Sequence, residues 1–158
     1  MISILFKYYI FCNFKWKLYF LLSLFCLSFI HCIAQEGSIW ILGSSNTGID
    51  FNTNTPSLTK TGLSTKNIVS CISDSLGKLL FYSNGIKVYN NSNYLMENGD
   101  SIMGSDVNLT KTIYILPTPD NVNQYYLFYC PNLSYENKTG LFYSVIDMSY
   151  NKGLGKVI

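Results

Sequence analysis

From residue 35 onward the chain consists of short apolar runs, alternating or continuous, each closed by a cluster of turn-forming residues. Ser38-Ile-Trp-Ile-Leu42 predicts a short strand. A stretch rich in Ser, Asn, Thr and Gly then reads as a loop to about Leu63, with turn signals at Asn46-Thr-Gly48 and Thr55-Pro56. Ile68 to Ser73 predicts a second strand. Asp74-Ser-Leu-Gly77 follows as a tight turn, in which the Asp bonds its own backbone and the Gly takes a positive φ. Lys78 to Ser83 is a strong strand, and Asn84-Gly85 is a hairpin turn whose twist suits the flanking strands, answered by Ile86 to Asn90. After a further turn at Asn98-Gly99, Ile113 to Leu116, Tyr125 to Cys130 and Gly140 to Met148 predict three more strands. Between them lie a turn over residues 117–120 and a polar loop over residues 133–139, and residues 151–155 form a last turn. No helical periodicity interrupts this pattern, so the expected class is all-β.

The tripeptide Leu-Phe-Tyr occurs three times, at residues 80–82, 127–129 and 141–143. The first two copies are 47 residues apart (80 to 127), the offset of a sheet blade in a β-propeller, roughly 40–50 residues. The second and third are 14 apart (127 to 141), which suits neighbouring strands of one sheet. Aligning the first two copies matches the strand before Asp74 with the strand before Asp120, and gives the second unit one extra turn residue. The expectation is a partial β-propeller of two to three antiparallel blades, because at that repeat length residues 35–158 supply no more. Closure takes at least about four blades. An isolated set of this size would therefore expose sheet edges that missing blades or a partner chain must cover.

The first 34 residues have a different composition. Lys15 and Lys17 precede an apolar run over residues 18–30, and Cys32-Ile-Ala34 places small residues ahead of Gln35. This is the layout of a signal peptide cleaved before Gln35, which makes residues 1–34 the signal peptide and 35–158 the β domain. As a helix, residues 18–34 would reach about 25 Å, short of the ~30 Å hydrocarbon layer. An exported protein at the cell surface or outside the cell is expected, with membrane contact only through the signal segment. The leader also accounts for the formal net charge of +2. From Gln35 onward there are eight Lys, no Arg and nine carboxylates, or about −1. Nucleic acid is excluded as a partner, since counterion release needs clustered cations.

Cleavage removes Cys12, Cys26, Cys32 and His31, the only histidine. Without a histidine there is no Ser-His-Asp or Cys-His catalysis and no His-based zinc site. The sequence calls for no cofactor, no metal and no catalytic residue. Cys71 and Cys130 remain, either as a disulfide or as two buried free thiols. The remaining carboxylates fall mostly in turns. Among them Asp50, Asp74 and Asp147 are the candidates for a glycosidase pair, the enzymatic alternative. Asp147, at the end of a strand, suits accepting turn amides or contributing to a calcium site. Trp40 is either a core residue or an exposed stacking platform for a sugar or protein partner. Trp40, Asp50 and Asp147 are thus the interaction candidates. Asn90, Asn108, Asn132 and Asn137 stand in Asn-x-Ser/Thr triplets.

Residues 40–51, 72–90 and 140–157, with Met96-Glu-Asn-Gly99 and the Pro117…Tyr125-Tyr126 spacing, resemble a known group. They look like the N-terminal portion of large secreted proteins of Bacteroidetes that carry a WD40-like or YVTN-like β-propeller. Those proteins often end in a gliding-motility-associated, type IX secretion sorting domain. The run Ser73-Asp-x-x-Gly-x-Leu-Leu-Phe-Tyr-x-x-Gly85 is the most specific part. The chain departs from the group at Asn67-Ile68, at Tyr89 and over residues 106–111. The resemblance implies a non-catalytic surface segment that adheres to or recognises protein or polysaccharide. It further implies that the chain is a fragment of a longer propeller. A product that lacks independent function is the bland alternative.

Overall fold

The computed structural model describes residues 35–65, 68–100, 113–130 and 140–158, together with the single positions 19 and 102. The chain separates into two compact units, Met1–Ile33 and Ala34–Ile158. Only Tyr19 of the first is described, and it is exposed. The second unit is all-β, with three antiparallel sheets. The first sheet contains β1 (Ile39–Leu42), β2 (Thr47–Asp50) and β3 (Ser57–Lys60). The second contains β4 (Ser70–Ser73), β5 (Leu79–Ser83) and β6 (Val88–Asn90). The third contains β7 (Ile113–Pro117), β8 (Gln124–Tyr129), β9 (Phe142–Asp147) and β10 (Lys156–Val157). In each sheet the strands lie side by side in chain order, the up-and-down order of a propeller blade. The first strands of successive sheets also neighbour one another, β1 against β4 and β4 against β7.

The second sheet is sandwiched between the other two, and its central strand shows why Leu79-Leu-Phe-Tyr is apolar throughout: a strand covered on both faces has no solvent side. Phe81 and Tyr82 are both completely buried, on opposite faces. Phe81 belongs to the core shared with the third sheet, alongside Ile72, Val88, Ile113, Ile115, Leu127 and Ile146. It meets Tyr125 edge-on at 5.6 Å between ring centroids. Tyr82 belongs to the core shared with the first sheet, with Ile39, Ile41 and Leu63, and it stacks on Tyr89 at 5.4 Å. A register shift between Ile72 and Ser73 leaves Leu80 as the extra residue of a bulge.

The repeat holds in three dimensions. Tyr82 faces the preceding sheet and Phe81 the following one. In the third sheet Leu127 and Tyr129 turn back onto the second, so Phe128, between them, points onward. The first two Leu-Phe-Tyr copies therefore occupy equivalent strands with equivalent faces. The third copy lies on the next strand in the opposite sense, with Tyr129 paired to Phe142 and Phe128 to Tyr143.

Both interfaces are also fastened at the edges far from β1, β4 and β7. Between the first and second sheets, the Tyr82 hydroxyl accepts from Gly62 N at 2.8 Å and donates to Asn93 Oδ1 at 2.9 Å. Asn93 Nδ2 donates to Lys60 O at 3.3 Å. Between the second and third, β10 meets Glu97 in a parallel bridge. Val157 N donates to Glu97 O at 3.0 Å, and Lys156 Nζ lies 2.8 Å from Glu97 Oε1.

Several sequence expectations need correction. Residues 43–63 are not simply a loop, because they contain β2 and β3. These strands are polar and carry Gly48, so they lack an apolar signature. Gly48 is there because Trp40 O lies 2.7 Å from where a Cβ would stand. The Asn84-Gly85 turn is not a two-residue hairpin: Ser83 pairs with Val88. The loop is closed by Asn84 Oδ1, which accepts from Ile86 N and Lys87 N at 3.1 and 2.9 Å. The Asp74 turn forms as read, with Oδ1 accepting from Leu76 N and Lys78 N at 2.9 Å each and Gly77 at φ 81. In the next unit the equivalent acceptor is Asn121, not Asp120, and it takes Asn123 N at 3.0 Å. The sequence also missed the short strand β10. The predicted loop over residues 133–139 lies outside the described residues.

Candidate interaction site

The three residues singled out from the sequence lie in three separate places. Trp40 is on the outward face of the first sheet and 57% exposed. Its indole packs on Phe51 at 5.1 Å, and Nε1 donates to Gly37 O at 3.1 Å. Asp50 pairs with Ile39 on the other face of that sheet, where Oδ1 accepts from Asn52 N at 2.8 Å. Asp147 is buried at the end of β9. Its Oδ1 accepts from Ser149 N at 2.9 Å and from the Ser149 hydroxyl at 2.6 Å, and its Oδ2 accepts from Gln124 Nε2 at 2.9 Å. The Gln124 bond, followed by those from Ser149, holds this carboxyl below its ordinary pKa. Asp147 is therefore engaged in closing a turn. Asp74 does the same in its own turn.

The described residues enclose an open cleft of about 640 Å³ between the inward face of the first sheet and two turns of the second. Asp50, Asn52, Thr59 and Lys60 form one wall; Leu76 to Leu79 and Asn91 to Asn93 form the other. Asn52 Nδ2 ties the walls together by donating to Gly77 O at 2.9 Å. Asn93 takes its position from φ 66, a left-handed conformation that Asn tolerates. One ammonium group, from Lys78, one carboxylate and several amides and hydroxyls thus line a trough floored by Ile39 and Leu79. Sequence reasoning placed only Asp50 here. The Asn/Ser run at residues 90–93 was not read as a turn, and nothing in it signalled that β3 lies opposite.

A second surface is aromatic. On the outward face of the third sheet Tyr114 pairs with Phe128 and Phe128 with Tyr143, while Leu116 pairs with Tyr126 and Tyr126 with Val145. The rings of Tyr126, Phe128 and Tyr143 lie within 6.0 Å of one another. Tyr114, Leu116 and Tyr143 are each more than half exposed. The Ile-Tyr-Ile-Leu alternation of β7 was the sequence signal for this face.

Cys71 and Cys130 are free thiols, both half-buried. Cys71 donates to Ile39 O at 3.0 Å, and burial pushes its pKa up. Of the Asn-x-Ser/Thr triplets, Asn90 is buried and accepts from Ser92 N and Tyr94 N. The other three asparagines lie outside the described residues. Among the described residues no three His, Cys, Asp or Glu side chains gather, and no helix is long and apolar enough to cross a membrane. No protein-family model, curated protein or solved structure matches this chain.

Proposed function

We propose that this chain is an exported, non-catalytic interaction module of propeller-type blades, acting at the cell surface and taking a glycan or similarly polar ligand in the cleft between its first two sheets. The observation that carries this reading is the lining of that cleft: amide, hydroxyl and ammonium groups beside an apolar floor. Sugars present that same mixture of hydroxyls and C–H faces. Asp50 is the one carboxylate among the described lining residues, whereas glycoside hydrolysis needs two flanking the bond. The leader and the resemblance to Bacteroidetes surface propellers supply the location, with adhesion or a gliding-associated role as the setting.

The test has two arms. Cells expressing the full chain are fractionated and the product's N-terminus is read by mass spectrometry; a start at Gln35 outside the cytoplasm is expected. The released product is then screened on a glycan array. Binding that falls at least tenfold in Lys78→Ala and Asn91→Ala, without hydrolysis of the bound sugar, is expected. Retention in the cytoplasm, or binding indifferent to both substitutions, would sink the reading. Sugar turnover abolished by Asp50→Asn would replace it with the enzymatic one.

A further inference from the structure

We propose that residues 150–157 form a strap that Glu97, in the loop after β6, holds closed over the thioethers of Met96 and Met148, and that neutralising Glu97 in acid lifts the strap while the sheets stay folded. The backbone of the strap is strained. Asn151, Lys152, Gly153 and Gly155 have φ of 52, 57, 88 and 81. Glycine takes that left-handed region freely and asparagine tolerates it, but the Cβ of lysine crowds the following carbonyl there. Lys152 is exposed, and its side chain makes no bond among the described residues that would offset the strain. Such a turn persists only where its surroundings hold it. Glu97 supplies that hold. Its Oε1 lies 2.8 Å from Lys156 Nζ, its Oε2 accepts from Asn151 Nδ2 at 2.7 Å, and its backbone O accepts from Val157 N at 3.0 Å. The Asn151 amide also donates to Gly155 O at 3.0 Å, so one carboxylate fixes the left-handed turn and β10 together. Asn98 Nδ2 adds a bond to Val157 O at 3.1 Å. Apolar burial adds little, since only Gly155 and Val157 of the strap are buried. A segment with so few buried groups opens locally, ahead of the sheets.

Two sulfurs lie directly beneath. A Cβ on Gly155 would stand 2.8 Å from Met148 Sδ and 3.2 Å from Met96 Sδ. Both methionines are buried under this glycine backbone, and lifting it bares them. The neighbouring charges leave Glu97 as the acid that grips the strap. Lys156, its cation, lies 5.5 Å from the centre of the Tyr150 ring. Asp147, paired with Lys156 across β9, has both oxygens engaged by Ser149 and Gln124. Asp100, three residues beyond Glu97, lies 3.5 Å from Lys87. The hydrogen bond from Lys156, followed by that from Asn151, keeps the Glu97 carboxyl below its ordinary pKa. The catch is therefore complete above the unfolded value of about 4.3 and is lost as pH falls through the lower folded one.

The full 158-residue chain is treated with hydrogen peroxide, which passes one oxygen atom to an accessible thioether and leaves as water. Sulfoxide at Met96 and Met148 is followed by peptide mass spectrometry, with free N-acetylmethionine as the rate standard. At pH 7 Glu97→Gln should oxidise at both positions roughly tenfold faster than the parent chain, because a neutral amide cannot accept from Lys156 and Asn151 as the carboxylate does. The near-ultraviolet circular dichroism should stay unchanged. In the parent chain both rates should rise between about pH 5 and about pH 3. Asp147→Asn should keep that rise, and Glu97→Gln should lack it. The proposal is overturned if Glu97→Gln leaves both rates at the parent value, or if the pH response follows Asp147 in place of Glu97. It is equally overturned if the dichroism is lost as the rates rise, since the whole domain has then opened.

Discussion

Ser73 illustrates how a single side chain can be wrongly furnished for its site. Its hydroxyl is buried and has no hydrogen-bond partner, although its backbone N–H donates to Glu36 O at 3.1 Å. A buried hydroxyl left unpaired costs its desolvation free energy without compensation. Ser73→Ala should accordingly raise stability by about 1 kcal/mol, read as a higher urea midpoint at unchanged slope; a lower midpoint would show that the hydroxyl has a partner. Tyr82 is the opposite case. It is equally buried, yet its hydroxyl both accepts and donates, and burial pushes its pKa up. Both residues sit in strands that the sequence identified. The Tyr82 hydrogen bonding was not legible, because it depends on Gly62, which approaches only when the first two sheets stack, and on Asn93, in a turn of its own sheet.

At the scale of elements, the strands read correctly were those with an apolar signature: β1, β4, β5, β6, β7, β8 and β9. The strands missed were β2, β3 and β10. Thr47-Gly-Ile-Asp50 and Ser57-Leu-Thr-Lys60 have no clear period-two contrast, because their outward positions mix Ile49 and Leu58 with Thr47 and Lys60 while their inward ones are small or polar. That weak pattern arises where a sheet lines a polar cleft on one side. The turns were legible in kind. Asp74 and Asp147 were both expected to take backbone amides, and both do. The Asp147 turn has a pH signature. Its carboxyl titrates lower in the folded chain than in the unfolded one. Its stabilising contribution is therefore present above the unfolded carboxyl value of about 3.9 and is lost as pH falls through the lower folded value. Asp147→Asn should cost about 1–2 kcal/mol at pH 6, and the gap to the parent chain should narrow by pH 3, measured as urea midpoints. A gap that stays constant would mean that the charge contributes nothing.

For the molecule as a whole, the two cores share one sheet, and Phe81 and Tyr82 are neighbours on one strand. Damage to either core should therefore be felt in both. Phe81→Ala should cost about 3–5 kcal/mol through lost burial and the cavity left behind. In a chain carrying Trp16→Phe, Trp40 emission reports the first sheet, although Phe81 packs on the third. Its midpoint in urea should shift together with that of the far-UV circular dichroism. Separate shifts would show the first sheet unfolding on its own. The succession of antiparallel sheets was legible from the 47-residue offset taken together with the resemblance. The fastening of the far edges was not, since it rests on Glu97 and Asn93, two residues in turns with no periodic signal.

The alternation of Phe forward and Tyr backward also constrains how such a gene can change. Duplicating or excising one whole 47-residue unit preserves the facing of every strand, so the stack can lengthen or shorten by recombination without repacking any existing core. Losing one codon within residues 80–82 would instead exchange the two faces of β5, turning Phe81 and Tyr82 into each other's core. Descendants of this chain should therefore vary in their number of units far more readily than in the length of the strands inside one.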